Sequence, residues 1–201
     1  MVMNYSLKIE PIDRTAGDRL NNHPSLECYL LQSEAEIIEY EKALYREFTR
    51  KNPHNWLCRN YLLIENNRYK SPIPYSSQSV YGIYRESNLI SAAAINFDTH
   101  RQMQFEAVGF SRDRSSIDCN FCEVLTFFIC QEKHLNFNYL KIIARLKEVI
   151  LTDLKNKNIS FGLANCTENL LPLYLRTGWT IASQKTLEGT TKYLIEYKIT
   201  P

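Results

Sequence analysis

Hydrophobic side chains recur along this chain with two different periods, which predict helices in some segments and strands in others. Two segments carry apolar residues every three or four positions, the spacing of an amphipathic helix. They predict helices over roughly 34–50, preceded by the capping-box pair Ser33 and Glu36, and over 139–156. The buried stripe predicted for the second helix consists of Leu140, Ile143, Leu146, Ile150 and Leu154.

Shorter apolar runs rich in β-branched and aromatic residues predict strands. Turn residues at 85–88 and 187–190 join two pairs of them as hairpins. A short helix is expected between Pro172, in its first turn, and Gly178, just past its end. The predicted strands are 26–32, 80–84, 89–97, 103–110, 122–129, 159–164, 179–183 and 191–199.

The order of these elements is strand, helix, three or four strands, helix, strand, helix and two strands. It predicts a mixed α/β (α+β) fold with parallel pairing around the central helix, because parallel strands need a long crossover connection. The length of 201 residues suits one domain over 1–201. Within it, prolines and scattered aromatic residues break the pattern at 51–79, which we predict to be a long functional loop or insertion.

Charge and hydropathy exclude several classes of protein. Lysine and arginine total 24 against 22 acidic residues, and both signs are interspersed, so nucleic acid is not expected as the main partner. No apolar run approaches the roughly 20 residues that span a bilayer. The first residues lack the continuous apolar segment of a signal peptide. We therefore expect a cytoplasmic protein with no membrane span.

The cysteines and histidines give no metal site. The six cysteines include one CxxC, from Cys119 to Cys122, but no second pair completes the roughly four ligands that zinc takes. The four histidines show no ligand spacing. Neither a G-x-S-x-G motif nor a P-loop occurs, which argues against a hydrolase triad and an NTPase. We expect free thiols and no metal cofactor.

The first candidate catalytic residue is Tyr174, in the stretch LPLYLRTGW at 171–179. This stretch resembles the late Tyr-x-x-x-Gly-aromatic helix of the GNAT acyltransferases, the acyl-CoA-dependent N-acyltransferase superfamily, and the element order over 26–199 resembles that fold. The resemblance implies a central mixed sheet that splays in the middle, and it implies that Tyr174 protonates the leaving thiolate of coenzyme A. A phenol with a reference pKa of about 10 is a neutral donor at pH 7. The alternative is a core aromatic residue beside a helix end.

The second candidate is Glu123, in the stretch NFCEVLTFFI at 120–129. This stretch resembles the central strand of the same family, in which a glutamate removes a proton from the attacking amine, directly or through water. A carboxylate in an apolar strand must be paired, hydrated or raised in pKa, and a raised pKa suits a general base. Alternatively, Glu123 points outward or pairs with Arg112 or Arg114.

Donor binding is the part of the family pattern from which this chain departs. In the family the next helix opens with a glycine-containing turn whose amides bind pyrophosphate. Here that segment has no glycine, and its best alignment is Lys133-x-x-Asn136-x-Asn138. Asn165, at the end of the following strand, matches an asparagine that contacts the donor, or else is a turn residue at a helix entry. The resemblance thus assigns donor binding to Ile129, Lys133, His134, Asn136, Phe137, Asn138, Tyr139 and Asn165.

Two stretches resemble a fatty-acyl branch of the fold, the N-acyl amino acid synthases and acyl-homoserine-lactone synthases. They are CEVLTFFI at 122–129 and LQSEAEIIEYEKALYREFTRK at 31–51. Related maturases acylate ribosomally made peptides. The missing glycines leave the donor open between acyl-CoA and an acyl carrier protein.

The sequence therefore predicts an N-acyltransferase that moves an acyl group, with a long fatty chain as one option, from a thioester donor to an amine of a small molecule or peptide. The segment 51–79 is expected to select the acceptor. The alternative is a catalytically silent GNAT-like domain that binds a peptide or acyl ligand.

Overall fold

Seven strands form one mixed sheet with a long helix on each face, in the part of the chain that the computed structural model describes. That part covers residues 26–51, 55–100, 103–112, 120–130 and 139–199. Its helices are α1 Glu34–Lys51, α2 Trp56–Asn60, α3 Gln104–Ala107, α4 Tyr139–Asn156 and α5 Leu171–Arg176. Its strands are β1 Glu27–Leu30, β2 Leu63–Glu65, β3 Arg68–Lys70, β4 Gln78–Arg85, β5 Asn88–Asn96, β6 Phe121–Ile129, β7 Phe161–Thr167, β8 Thr180–Leu187 and β9 Thr190–Lys198.

The strand order in the large sheet is β1-β4-β5-β6-β7-β9-β8, and only β6 and β7 are parallel neighbours in the described chain. α4 lies in the crossover between these two strands. Leu44 of α1 packs with Ala92 on one face of the sheet, and Ile142 of α4 packs with Ala93 on the other. The predicted mixed sheet with parallel pairing around the central helix is confirmed. In these ranges no helix carries an apolar stretch long enough to cross a bilayer.

β6 and β7 separate part-way along their length. Their pairing ends at Val124 opposite Ala164, although both strands continue beyond it. Next to that point β6 carries an extra residue, Leu125, where its register against β5 shifts. A bulge of this kind bends the strand that carries it. The unpaired ends of β6 and β7 therefore leave a cleft in the middle of the sheet.

Most predicted elements are confirmed, with small differences at their ends. α1 begins with the predicted capping box: the Ser33 N–H donates to the Glu36 carboxylate at 2.8 Å, and the Glu36 N–H donates to the Ser33 hydroxyl at 3.2 Å. Both predicted hairpins form. Their turns are made by residues with positive φ, namely Glu86 and Ser87 in the first and Glu188 and Gly189 in the second.

The strand predicted over 103–110 is wrong, because this stretch forms α3. Met103 and Phe105 alternate as in a strand, yet both are buried in one cluster beside the helix. Two carboxylates hold the first turn: the Met103 N–H donates to Glu106 at 2.9 Å, and the first two N–H groups of α3 donate to Glu123. Since Glu123 lies on another strand, the local pattern could not indicate this helix.

α4 confirms the predicted helix, but its buried stripe is rotated. Ile142 and Leu146 are buried, whereas Leu140, predicted to be in the core, is 69% exposed. Ile143 and Ile150 are only partly buried against the same cluster. The flank of α4 that carries these two residues is therefore not fully covered by the sheet.

The segment 51–79 contains regular structure in its described residues. α2, a two-stranded sheet of β2 and β3, and a short 3-10 turn follow one another. Tyr69 and Ile73 are buried in the core cluster that lies between α1 and the large sheet, and Tyr61 and Tyr75 pack against it. These aromatic residues therefore belong to the core.

α5 ends in a Schellman motif that fixes the position of Tyr174. Pro172 lies in its first turn, as predicted. At its other end the Trp179 N–H donates to the Tyr174 carbonyl at 3.2 Å, and the Gly178 N–H donates to the Leu175 carbonyl at 3.1 Å. Gly178 has a φ of +94°, in the left-handed region that glycine adopts at little cost.

Gly178→Ala is expected to lower the free energy of unfolding by about 1–2 kcal/mol, the usual cost of a left-handed conformation for a residue with a Cβ atom. The new Cβ atom would lie 3.2 Å from Cε2 of Tyr197, which would have to shift. For a chain of this size the melting temperature should fall by roughly 2–8 °C in thermal denaturation. Gly189→Ala is the matched control, since its φ is +73° and nothing lies within 4 Å of the added atom. Equal losses in both variants would show that the Tyr197 contact carries no energetic weight.

Candidate active site

The gap between the ends of β6 and β7 is lined by polar side chains. They come from these two strands, from β9, from α5 and from the residue before α2. The lining contributed by the described residues includes no aspartate or glutamate. The polar members of this lining, which we call the polar cleft, are Asn55, Thr126, Asn165, Thr167, Tyr174 and Lys192.

An apolar pocket lies beside the polar cleft, between α4 and the sheet. Ile143, Leu146 and Ile150 of α4 form one wall, and Ala93 and Val124 of the sheet lie opposite. Its volume is about 110 Å³. For comparison, an apolar cavity of roughly 150 Å³ admits a benzene ring. A short aliphatic chain would thus be favoured there over water.

Tyr174 borders both the polar cleft and the apolar pocket. Its ring packs edge-on against Trp179, with 5.6 Å between the ring centroids. Burial raises the pKa of Tyr174 above its usual value, so the hydroxyl keeps its proton at physiological pH. The described residues offer that hydroxyl no hydrogen bond. Tyr174 thus packs in the core beside both cavities, and its hydroxyl keeps its proton.

Glu123 is fully buried in β6, and its carboxylate accepts two hydrogen bonds from the backbone. The Phe105 N–H donates at 2.7 Å and the Gln104 N–H at 2.9 Å, both from the first turn of α3. Asn96, directly opposite on β5, is a further hydrogen-bond partner. Glu123 therefore holds α3 against the sheet, whatever chemistry it also performs.

Glu123 lies on the face of the sheet opposite the apolar pocket. Its neighbours Cys122 and Val124 line that pocket, and successive strand residues point to opposite faces. The Glu123 carboxylate does not line the polar cleft itself. It accepts a hydrogen bond from the Gln104 N–H, and the Gln104 side chain accepts one at 2.9 Å from Asn165, which lines the cleft. Tyr174 thus borders the cleft directly, and Glu123 is connected to it through these two amides.

Burial raises the pKa of Glu123 from 4.5 to about 7, although the hydrogen bonds from α3 act in the other direction. The neighbouring Glu106 adds to the rise. A carboxyl that changes charge near neutral pH is well suited to general base catalysis. Of the predicted alternative partners, Arg112 bonds Glu196 at 2.9 Å instead, and Arg114 lies outside the described residues.

Three of the residues assigned to the donor fall in the described part of the chain. Ile129 ends β6, and its carbonyl accepts a hydrogen bond from Nζ of Lys51 at 3.1 Å. Tyr139 begins α4 and is 46% exposed. Asn165 lines the polar cleft. The remaining assignments lie outside the described residues, namely Lys133, His134, Asn136, Phe137 and Asn138.

The thiols next to the site are poor nucleophiles. Cys122 lines the apolar pocket and Cys166 lines the polar cleft. Burial raises the pKa of Cys122 to about 12 and that of Cys166 to about 11. Because the thiolate is the nucleophile, neither favours an acyl-cysteine intermediate. None of the described cysteines forms a disulfide bond; they are Cys28, Cys58, Cys122, Cys130 and Cys166.

Four members of the polar cleft were not singled out by the sequence: Asn55, Thr126, Thr167 and Lys192. Thr126 lies inside an apolar strand, and its hydroxyl shares a hydrogen bond of 2.6 Å with that of Tyr40. Lys192 looks like a surface lysine, yet only 6% of it is exposed. A signal was present, since Leu194 and Ile195 make both faces of β9 apolar and hence covered.

Comparisons with family models and with curated protein sequences give no match. Solved structures do match over most of the chain. The AHL synthase LasI has a TM-score of 0.67 at 12% identity, covering 89% of this chain and 92% of that one. This chain has the GNAT fold.

Other structures with the GNAT fold agree with this assignment. The CoA-dependent acyl-homoserine lactone synthase BjaI, solved with SAM and isopentyl-CoA, has a TM-score of 0.64 at 10% identity, covering 83% of this chain and 77% of that one. FeeM, an N-acyl amino acid synthase from uncultured soil microbes, has a TM-score of 0.55 at 13% identity, covering 88% and 92%. The predicted resemblance to the GNAT fold and its fatty-acyl branch is confirmed for the fold. Because one fold hosts many reactions, the chemistry has to be argued from the cleft.

Proposed function

We propose that this protein is an N-acyltransferase that moves an acyl group from a thioester donor to an amine of a small molecule or a peptide. The observation that carries the proposal is the position of Tyr174, which borders an apolar pocket and a polar cleft at once and keeps its hydroxyl protonated. An acyl thioester has the matching parts, an apolar chain next to a polar carbonyl and a sulfur atom. The GNAT fold supports the proposal, because AHL synthases and an N-acyl amino acid synthase share it.

In the proposed reaction the amine nitrogen attacks the thioester carbonyl carbon in the polar cleft. The C–N bond forms, the C–S bond breaks, the amine loses one proton and the sulfur gains one. Glu123 accepts the amine proton through a water that reaches its carboxylate, and its pKa of about 7 suits this role. Backbone amides of β6 near Leu125 stabilise the oxyanion, since a bulge leaves ladder groups unpaired.

Tyr174 acts on the sulfur, mainly through a hydrogen bond. A thiol has a reference pKa of about 8.5 and a phenol one of about 10. Burial raises the pKa of Tyr174 further, so complete proton transfer to the thiolate is uphill. The described residues give the Tyr174 hydroxyl no hydrogen bond. It can therefore donate to the charge that develops on sulfur without breaking a hydrogen bond to any of them. The Tyr174 proton then passes to the sulfur, and solvent returns a proton to the phenol.

The donor in this proposal is a coenzyme A thioester or an acyl carrier protein. Ile129, Tyr139 and Asn165, with the residues from Lys133 to Asn138, are proposed to hold it. The apolar pocket favours a chain longer than acetyl, because each buried CH₂ contributes up to about 0.8 kcal/mol. Asn55 and Leu57, from 51–79, line the polar cleft, which supports a role of that segment in selecting the acceptor.

Donor length tests this proposal. Donor affinity and turnover, measured from acetyl-CoA to palmitoyl-CoA, are expected to rise with chain length until the pocket is filled. Ala93→Leu adds three carbon atoms at a buried pocket position. We expect it to weaken octanoyl-CoA binding about 10- to 100-fold, in line with the usual cost of overpacking, and to spare acetyl-CoA.

Acetyl-CoA in the same variant is the control, since a general loss of folding would affect both donors. Tightest binding of acetyl-CoA by the wild type, with no gain from a longer chain, would contradict an acyl site in the apolar pocket. Donors that bind but release no thiol with any amine would favour a silent binding domain.

A further inference from the structure

Lys192 is the one charged side chain among the described residues that line the polar cleft. It is almost completely buried in β9. A buried ammonium group costs several kcal/mol unless an anion or hydrogen bonds compensate it. Since the described part of the lining contributes no carboxylate, the cleft has a positive charge that none of its described wall residues balances.

The surroundings of Lys192 confirm this imbalance. Cys166 and Glu188 both act on its ammonium group. The Cys166 thiol has a pKa of about 11, and Glu188 is ion-paired with Arg59, both of whose side chains are about half exposed. The described residues give Nζ of Lys192 no hydrogen bond and no ion pair. Burial lowers the pKa of Lys192 as a result. An anion that enters the cleft would offset this cost.

Lys192 shares one face of the sheet with Asn165. Thr167 lies directly opposite Lys192 and Leu194 directly opposite Asn165, and opposed residues in antiparallel strands share a face. The two polar side chains are therefore diagonal neighbours, with Cα atoms about 7–8 Å apart. Asn165 is bonded to Gln104, whose buried Nε2 has no acceptor among the described residues. Hydrogen-bond donors thus gather on this side of the cleft.

In the proposed reaction the acceptor amine approaches from the face of the sheet that carries Asn165 and Lys192. The apolar pocket lies on the opposite face, and the Glu123 carboxylate lies on the same face as Asn165, behind Gln104. We propose that Lys192 binds a carboxylate of the acceptor, so that the acceptor is a small amine that carries a carboxylate, with an α-amino acid as the simplest case. This inference rests on the proposed N-acyltransferase function and names its acceptor class.

The test compares each of the twenty common L-amino acids with its carboxamide, using octanoyl-CoA as donor. Acylation and binding are measured separately, by thiol release and by thermal shift. For the best amino acid, the wild type should prefer the free acid over the amide about 10- to 100-fold in kcat/KM, the usual range for a hydrogen bond to a charged group. Lys192→Met should lose this preference, so that the ratio of kcat/KM for the free acid to that for the amide falls to about 1.

Lys198→Met is the matched control. Lys198 lies on the same strand and the same face as Lys192, but it is exposed at the far end of the strand. It should keep the full preference for the free acid. Lys192→Met should also keep or raise the melting temperature, because it removes an uncompensated buried charge. A clear loss of stability in Lys192→Met would instead show that Lys192 is structural and would overturn the proposal.

Other results separate this inference from the proposed function. Acylation of free acids and amides at equal rates by the wild type would overturn the inference and keep the N-acyltransferase. Binding of free acids that depends on Lys192, without any acyl transfer, would support the carboxylate site and contradict the proposed N-acyltransferase function. If Lys192→Met raises KM for octanoyl-CoA but not for octanoyl-pantetheine, Lys192 serves a donor phosphate, and the acceptor assignment is wrong.

Discussion

Tyr174→Phe is expected to lower kcat about 100-fold or more, in the range that removal of a positioned proton donor produces. The ring still packs edge-on against Trp179, so the fold and the walls of the apolar pocket should be preserved. The lost atom is the hydroxyl oxygen, to which the described residues give no hydrogen bond and which we propose to face the leaving sulfur. Steady-state kinetics with saturating octanoyl-CoA, together with donor Kd by calorimetry, separate the two effects: kcat falls and Kd stays nearly constant.

The matched control is Tyr193→Phe. Tyr193 packs against the same core cluster as Tyr174, but it lines neither the cleft nor the pocket. Removal of the Tyr193 hydroxyl should leave the polar cleft and the apolar pocket unchanged, so kcat should stay at the wild-type value. If Tyr174→Phe turns over as fast as the wild type, Tyr174 is a core aromatic residue and the proposed leaving-group chemistry fails.

Glu123→Gln is expected to cause a loss of similar size at neutral pH, about 100-fold for a lost general base. The wild type should gain activity as pH rises through about 7, where Glu123 ionises and can accept a proton. The variant lacks this step, so its activity should rise only at higher pH, where the acceptor amine is already neutral. A pH profile of kcat/KM for the acceptor measures both curves.

Stability supplies an independent check on the same carboxyl. Because the folded pKa is raised from 4.5 to about 7, the native state binds more protons than the unfolded state between these values. The free energy of unfolding should therefore fall as pH rises from 4.5 to 7, by roughly 3 kcal/mol at most, and this slope should disappear in Glu123→Gln.

Glu123 also holds α3, and a second variant separates that role from catalysis. Glu106→Gln weakens the other carboxylate that caps α3, at the Met103 N–H, and keeps the Glu123 carboxylate, although it removes a charge that helps to raise the pKa of Glu123. If displacement of α3 explains the loss, both variants should lose activity alike and at every pH. A flat loss in Glu123→Gln would make Glu123 a structural residue.

The periodic parts of the fold could be predicted from the sequence because their signals are local. The capping box at Ser33, the glycine after α5 and the hairpin turns each depend on residues a few positions apart. α3 could not be predicted, because its first turn is held by Glu123 from β6, and a cap supplied from another strand has no local signature. The apolar alternation at Met103 and Phe105 then favoured a strand.

The candidate site divides in the same way. Tyr174 could be predicted as a candidate because its spacing from Gly178 is a helix-end pattern with a family resemblance. The place of Glu123 behind Gln104 depends on which face of β6 it occupies, and the bulge at Leu125 shifts that alternation. Lys192 was missed because a lysine in a strand is most often exposed, and its burial follows from the covered face of β9.

The most direct test of acyl transfer at the polar cleft is mass spectrometry of the products. The protein is incubated with a mixture of free amino acids and with octanoyl-CoA or octanoyl-pantetheine, the second of which mimics a carrier-bound donor. We expect an amine heavier by one octanoyl group, formed with one free thiol per product and lost in Tyr174→Phe. Donors that bind to the wild type, yet yield neither an acylated amine nor released thiol, would contradict the account.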